Sequence, residues 1–155
     1  MNTIFDAIRS ENLEAVEGFL DKDKDLIHIK DQRGSTPLLL STYYGFMEIT
    51  KLILSYKPDV NAKDASGNTA LMGVCFKGYY EIAELLIASG ADVNIKSYNE
   101  ATALIFAANF GQKEIMQLLI KNGADVTAQD NNGQTVAMHA KNQGIDFSEL
   151  LNVSK

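Results

Sequence analysis

The sequence predicts an all-α fold, a solenoid in which short helix pairs stack one on the next. The first observation behind this prediction is a fixed period of 33 residues along a chain of 155 residues. The second is that apolar residues within each period have helical spacing. Repeats of about 20 to 50 residues are typical of solenoids, because each unit buries its apolar face only against its neighbours. The recurring positions are Thr36, Thr69, Thr102 and Thr135; Gly45, Gly78, Gly111 and Gly144; Asp59, Asp92 and Asp125; and Val60, Val93 and Val126.

Each predicted repeat contains two helices, and residues 64–96 show the pattern most clearly. Thr69 can cap the first helix with its side-chain oxygen, and Gly78 can end that helix in the left-handed conformation. Gly90 can end the second helix in the same way, before a turn that leads into the next copy. The second helix is predicted from one apolar stripe with i, i+3, i+4 spacing, formed by Ile82, Leu85 and Leu86.

The signature residues of the repeat follow one another in a fixed order. Residues 31–63 carry them as Asp31-x-x-Gly34-x-Thr36-Pro37-Leu38, Gly45, Ile49, Leu52-Ile53-Leu54 and Asp59-Val60-Asn61-Ala62. The copies at residues 64–96 and 97–129 carry them too, so the pattern covers nearly the whole chain. This unit resembles the ankyrin repeat. The resemblance implies helix pairs stacked in an L-shape, hairpin loops that project from the inner helices, and a role in protein binding.

We expect residues 1–155 to form one domain of about five repeats, of which the first and the last act as caps. The first copy carries several exposed glutamates, and the last copy degrades into a polar tail. A terminal repeat needs such a polar outer face, because it has a neighbour on one side only. The predicted units are an amino-terminal cap at residues 1–30, full repeats at 31–63, 64–96 and 97–129, and a carboxy-terminal cap at 130–155.

Three features depart from the repeat pattern. Asn12 stands where later copies have Gly, and we expect it to be left-handed because Asn tolerates that conformation best after Gly. Glu100 stands where three other turns have Gly, so it is expected to strain the turn if the backbone conformation is kept. The His that commonly follows Thr-Pro-Leu in the family is replaced by apolar residues, whose packing we expect to substitute for a hydrogen-bond network. These residues are Leu39, Met72, Ile105 and Met138.

Charge and composition favour a protein partner in a reducing compartment. The formal net charge is −6, whereas nucleic acids and anionic membranes attract a basic face, so we expect neither as the main partner. One cysteine permits no internal disulfide, which fits a reducing environment. The first residues lack the basic segment and apolar run of a secretory signal, and no apolar run of about 18 residues is present. We therefore expect a cytoplasmic location.

Catalytic chemistry has little support in the sequence. A Cys–His nucleophile pair needs hydrogen-bond reach, about 3 Å. Cys75 and His139 lie two repeats apart, which is about 20 Å if stacked helices are ~10 Å apart. His28 lies in the loop that ends the first copy, and the chain has too few Cys and His residues for a zinc site of that type. We predict no catalytic, cofactor or metal site, and a buried and inert Cys75.

The candidate binding residues lie at positions that the repeat pattern leaves free, namely the ends of the inner helices and the turn tips. In proteins similar to this one, these positions face the concave groove and commonly contact the partner. Several are aromatic here, and aromatic side chains anchor interfaces because they bury much area with few rotatable bonds. For Phe76 and Phe110, packing between neighbouring inner helices is an open alternative. The predicted partner-binding residues are Gln32, Arg33, Tyr43, Tyr44, Phe76, Lys77, Tyr98, Asn99 and Phe110.

Three functions are consistent with these patterns. The leading one is a non-catalytic scaffold that binds a partner protein through the concave groove and the hairpin tips, as a monomer and without a cofactor. The second is a structural or self-associating module, which would use the groove between Tyr43 and Phe110 to contact another copy. The third is an enzyme accessory or small-ligand binder, which requires a closed pocket that a solenoid groove rarely forms.

Overall fold

Ten α-helices and one short 3₁₀ helix follow one another along residues 2–153, the part of the chain that this computed structural model describes. The all-α fold predicted from the repeat is therefore confirmed. The helices are α1 (Ile4–Arg9), α2 (Leu13–Lys22), the 3₁₀ helix (Lys24–His28), α3 (Pro37–Tyr43), α4 (Met47–Ser55), α5 (Ala70–Lys77), α6 (Tyr80–Ala88), α7 (Ala103–Asn109), α8 (Lys113–Lys121), α9 (Val136–Asn142) and α10 (Phe147–Val153).

The helices form two layers with the core between them. In the inner layer, α1, α3, α5, α7 and α9 pack side by side in chain order. In the outer layer, α2 packs against α4, α6 against α8, and α8 against α10. Residues at equivalent positions of successive repeats are buried together, so the core is a continuous ribbon rather than a sphere. Its regular members include Leu38, Leu71 and Leu104 from the inner layer, and Ile53, Leu86 and Leu119 from the outer layer.

Threonines spaced 33 residues apart begin the inner helices. Each side-chain oxygen accepts a hydrogen bond from the backbone N–H three residues further along the chain. This confirms the capping role predicted for Thr69 and extends the period back to Thr3, which the sequence pattern had not included. The inner helices are only six to eight residues long, so a satisfied amino terminus matters for each. The capping residues are Thr3, Thr36, Thr69, Thr102 and Thr135.

The prediction for Asn12 is wrong by one residue. Glu11 is the left-handed residue of the first repeat, with φ 53°. Asn12 has φ −98° and caps α2, since its side chain accepts a hydrogen bond from the N–H of Ala15. The reason is that α1 has six residues and α3 has seven, so the turn after α1 begins one position early. Asn is a strong amino-terminal cap, and this role decides its place here.

The apolar residues that replace the family's His pack as expected in three repeats. Leu39, Met72 and Ile105 are buried between neighbouring inner helices, whereas Met138 is 52% exposed. Met138 lies on α9, the last inner helix of the described residues, and no further inner helix among them covers it. No helix among residues 2–153 combines the length and the apolar composition needed to cross a bilayer.

A candidate partner-binding groove

The hairpin tips, residues 31–35, 64–68, 97–101 and 130–134, are shaped by one side chain each. In the second, third and fifth repeats this is an aspartate, whose Oδ1 accepts hydrogen bonds from the backbone N–H groups two and four residues further on, at 2.9–3.0 Å. In the fourth repeat the Ser97 hydroxyl takes this place, with N···O distances of 3.3 and 3.2 Å. The aspartates are Asp31, Asp64 and Asp130.

Backbone hydrogen bonds join each tip to the next. The Ala65 N–H donates to the Arg33 carbonyl at 3.2 Å, and the Tyr98 N–H donates to the Ser66 carbonyl at 3.3 Å. The Asn131 N–H repeats this contact with the Asn99 carbonyl at 3.0 Å. These bonds fix the spacing of the tips, so the candidate contact residues on them are held in one row.

Side chains at a second set of repeating positions join neighbouring repeats below the tips. The Lys30 ammonium donates to the Lys63 carbonyl, and the Lys63 ammonium donates to the Lys96 carbonyl, both at 2.9 Å. Asn61 and Asn94 accept hydrogen bonds from backbone N–H groups 31 residues further on. Sequence reasoning missed these residues as a network, although their spacing of 33 residues was available as a signal.

A groove with a volume of about 1160 Å³ lies between the tips and the inner helices, and residues of α1, α3, α5 and α7 line it. We refer to it as the groove. Among the predicted partner-binding residues, the groove brings together Gln32, Arg33, Tyr43, Tyr44 and Phe76. The other four, Lys77, Tyr98, Asn99 and Phe110, do not belong to its lining. Lys77 lies at its edge, over the Tyr43 ring, and Tyr98, Asn99 and Phe110 belong to the fourth repeat.

Four aromatic side chains lie in and beside the groove, each about two fifths exposed. Tyr43, Tyr44, Phe76 and Phe110 have exposed fractions of 41%, 42%, 40% and 43%. Phe76 and Phe110 contact each other with ring centroids 4.6 Å apart. They therefore pack between neighbouring repeats and still present a face to solvent, so the two interpretations of these residues are compatible. Such half-exposed aromatic residues are typical interface anchors.

Other contacts hold the aromatic side chains in place. Tyr43 and Tyr44 meet edge to face at a centroid distance of 6.0 Å, and Tyr44 stacks on Phe46 at 5.4 Å. The Lys77 ammonium lies 4.7 Å from the centroid of the Tyr43 ring, which is cation–π distance. At the tips, Lys63 lies 5.5 Å from the ring centroid of Tyr98, which is 67% exposed. The groove is thus partly preorganised.

A notch interrupts the inner-helix wall of the groove at Gly73. This residue lies on α5, at the repeat position that Leu40 and Phe106 occupy on α3 and α7. All three residues line the groove. A Cβ atom placed on Gly73 would lie 4.0 Å from the Tyr43 Cδ1 atom, an ordinary van der Waals contact, so there is room for added carbon atoms above Gly73. The repeat alignment carried the signal for this notch, and sequence reasoning did not use it.

The groove lining carries slightly more positive than negative charge, although the whole chain is acidic. Arg9, Lys30 and Arg33 line it, together with the carboxylates of Asp31 and Asp64. The Arg9 guanidinium is 3.5 Å from Asp31. Among the described residues, no carboxylate lies within ion-pair distance of Arg33, which is exposed.

Family profiles of ankyrin repeats match most of the chain. The profile described as "Ankyrin repeats (3 copies)" matches residues 4–97, and the profile described as "Ankyrin repeats (many copies)" matches residues 86–140. The chain belongs to the ankyrin repeat family. Comparison with curated proteins found no match. Ankyrin repeats are generally protein–protein interaction modules and typically lack catalytic activity.

Two of the reactive side chains of this ankyrin repeat chain, Cys75 and His139, are engaged in its structure. Cys75 is fully buried in α5, and burial raises the pKa of its thiol. His139 lies on α9, with its Nε2 atom 3.0 Å from the Asp130 carboxylate. Burial raises the pKa of Asp130, but hydrogen bonds from His139 and two backbone N–H groups outweigh it and hold that pKa below its usual range. Across residues 2–153, no three Cys, His, Asp or Glu side chains are grouped as metal ligands.

Proposed function

We propose that this chain is a non-catalytic scaffold that binds a partner protein through the groove and the adjoining hairpin tips. The observation that carries the proposal is the set of half-exposed aromatic residues Tyr43, Tyr44, Phe76 and Phe110, which lie in or beside one groove on adjacent repeats. They lie at the ends of three neighbouring inner helices, so two spacings of ~8–10 Å place them over about 16–20 Å, which suits an interface of ordinary size.

The outer helices offer a weaker surface for binding. Glu81 and Glu84 on α6 are exposed, as are Lys113 and Lys121 on α8. On α6 and α8 no large apolar side chain is exposed, so this mixed charged face provides few anchors, because exposed charge pairs contribute little free energy. The predicted contact residues therefore remain Gln32, Arg33, Tyr43, Tyr44, Phe76, Lys77, Tyr98, Asn99 and Phe110.

We further propose that the chain acts as a monomer in the cytoplasm, with residues 1–30 and 130–155 as its capping repeats. The single cysteine supports the compartment, because a chain that can form no internal disulfide suits a reducing environment. Sedimentation velocity of the purified chain tests the oligomeric state. A single species near 17.0 kDa is expected, and a concentration-dependent dimer that Tyr43→Ala disrupts would favour the self-associating alternative.

Affinity capture with matched variants tests the groove itself. The bait proteins are the wild-type chain, the groove variant Tyr43→Ala/Tyr44→Ala, and the outer-face variant Glu81→Lys/Glu84→Lys. We expect a protein captured by the wild type to be captured by the outer-face variant and lost from the groove variant. Capture that depends on Glu81 and Glu84 but not on the tyrosines would place binding on the outer helices and contradict the proposal.

A further inference from the structure

We propose that the groove binds an extended acidic segment of the partner, with one leucine-sized side chain of that segment inserted in the notch above Gly73. This inference rests on the proposed function, since it names the chemistry of the segment that the groove takes. Three features support it: the charge of the groove, the open space over Gly73, and the length of the lining.

The charge argument starts from the arginines. The chain contains two, Arg9 and Arg33, and both line the groove. Lys30 also lines it, and Lys77 lies against Tyr43 at its edge. Arginine presents a planar fork of donors that suits carboxylates, and the exposed guanidinium of Arg33 has no ion-pair partner within residues 2–153. The groove and its edge therefore carry a small excess of positive charge on a chain of net charge −6, which favours a negatively charged ligand.

Two carboxylates reduce the positive charge of the groove. The small remaining charge favours a peptide over a highly charged polyanion. Asp31 and Asp64 also line the groove. Each uses its Oδ1 atom to accept two backbone N–H bonds, and Asp31 also lies beside Arg9. The balance remains positive but modest. A nucleic acid needs a denser array of cations, whereas a segment with a few aspartates or glutamates matches this one.

The notch provides an apolar contact in addition to the charged contacts. Leu40 and Phe106 fill the repeat position on either side of Gly73, so the missing side chain leaves a gap along the inner-helix wall. Tyr43 borders this gap, with its Cδ1 atom 4.0 Å from the place of a Cβ. An apolar side chain in the gap would contact Leu40, Tyr43 and Phe106 and become desolvated. Buried apolar anchors of this kind supply much of an interface's free energy.

The length of the groove sets the size of the segment. Its lining extends from Thr3 before α1 to Phe106 on α7, which corresponds to about 20–30 Å at ~8–10 Å per stacked helix. An extended chain rises ~3.3 Å per residue, so about six to nine residues span it. An acidic segment with one central apolar residue therefore fits both the notch and the cations around it.

Synthetic peptides provide the test. Three fluorescein-labelled peptides of nine residues share a Gly and Ser background: one with glutamates flanking a central leucine, one with lysines in place of the glutamates, and one with alanine in place of the leucine. Anisotropy titrations against the wild-type chain are expected to give the tightest binding for the first peptide. We expect at least tenfold weaker binding for each of the others, and weaker binding of the first peptide as salt increases.

Variants of the protein identify the residues. Arg33→Glu/Lys77→Glu and, separately, Gly73→Leu are each expected to weaken the acidic leucine peptide at least tenfold. Lys113→Glu/Lys121→Glu on the outer face introduces the same change of charge and is expected to have less than a twofold effect. Leucine stabilises helices relative to glycine, so Gly73→Leu is expected to fold, and a thermal melt of each variant checks this.

The inference is overturned if the lysine peptide binds as well as the acidic one, if Gly73→Leu leaves binding unchanged, or if no peptide binds with a Kd below about 1 mM. Its failure is distinguishable from failure of the proposed function. A partner captured in a Tyr43- and Tyr44-dependent manner, but indifferent to Arg33→Glu/Lys77→Glu and Gly73→Leu, would refute the acidic segment and leave the groove as the binding site. Sedimentation showing that a second copy of the chain occupies the groove would also overturn it.

Discussion

Glu100 occupies the left-handed backbone position that Gly67 occupies one repeat earlier, with φ 62° against 79°. The turn has therefore kept its backbone conformation despite the change of residue type. A residue with a Cβ atom is strained at positive φ, whereas glycine is not. The Glu100 side chain lies 3.6 Å from the Lys96 ammonium, but an exposed ion pair of this kind contributes little stability.

Glu100→Gly is expected to raise the free energy of unfolding by about 0.5–1 kcal/mol, less the added entropy of the unfolded chain. The reciprocal control is Gly133→Ala. Gly133 has φ 75° and open space where a Cβ would lie, so this change introduces the backbone strain alone and should destabilise by a similar amount. Urea melts of the three proteins measure both effects. A Glu100→Gly protein clearly less stable than the wild type would show that the turn is not strained.

The same turn also differs from the other hairpin tips in having Ser97 where they have an aspartate. The Ser97 hydroxyl accepts from the N–H groups of Asn99 and Ala101 at 3.3 and 3.2 Å, whereas the Asp64 carboxylate makes the equivalent bonds at 2.9 and 3.0 Å. Hydrogen bonds to a charged acceptor are stronger than those to a neutral one. We expect Ser97→Asp to stabilise the chain by about 0.5–1 kcal/mol, a gain limited by the desolvation of a carboxylate at this buried position.

The control for this prediction removes the acceptor entirely. Ser97→Ala leaves the two N–H groups without their side-chain partner and should cost about 1–2 kcal/mol of unfolding free energy. Thermal melts at neutral pH measure both variants. If Ser97→Asp melts at or below the wild-type temperature, desolvation of the carboxylate outweighs the stronger hydrogen bonds. Aspartate would then not be more stabilising than serine at this position.

Asp130 links the last hairpin tip to His139 on α9. We expect its contribution to the free energy of unfolding to be lost in acid. Its folded-state pKa lies below the ordinary value of 3.8. A lowered pKa means that the carboxylate stabilises the folded chain fully above pH 3.8, and that this stabilisation is lost as the pH falls through the folded-state pKa. Asp130→Asn removes the charge and retains an acceptor oxygen, so the variant isolates the electrostatic part of this contribution.

We expect wild type to exceed Asp130→Asn in unfolding free energy by about 1 kcal/mol at pH 7, as for a hydrogen bond to a charged group. The difference should shrink toward zero as the pH is lowered below 3.8. Urea melts of both proteins between neutral and acid pH measure it. Asp125 and Asp146 also have lowered pKa values, but they are common to both proteins. A difference that stays constant with pH would contradict the assignment.

Periodic sequence signals predicted the fold well because each has a local physical cause. A threonine at a helix start can satisfy a free N–H, and a glycine can adopt positive φ, whatever the rest of the chain does. The error at Asn12 arose where two roles competed. Asn suits both the left-handed position and the amino-terminal cap, and only the length of α1, six residues rather than seven, determined which applied.

The candidate site was less predictable from sequence. Tyr43, Tyr44 and Arg33 were identified because they are side chains at positions that the repeat leaves free, and the structure brings them to one groove. Gly73 was missed because its contribution is the absence of a side chain between two larger neighbours. Arg9 was missed because it lies in the first repeat, where the shorter α1 shifts the alignment by one residue. The contributions of Gly73 and Arg9 to the groove both depend on three-dimensional packing.

The double variant Tyr43→Ala/Tyr44→Ala measures how much the groove contributes to affinity. Aromatic anchors at interfaces often cost 2 kcal/mol or more when truncated, so binding of the partner is expected to weaken by about thirtyfold. Both rings are about two fifths exposed, so thermal stability should change little.

The matched control, Glu81→Lys/Glu84→Lys, should alter affinity by less than about tenfold, because exposed charges act mainly on the association rate. Calorimetric titration of the captured partner against the three proteins measures this. If the charge reversal abolishes binding while the tyrosine variant binds like the wild type, the partner contacts α6 and the groove is not the binding site.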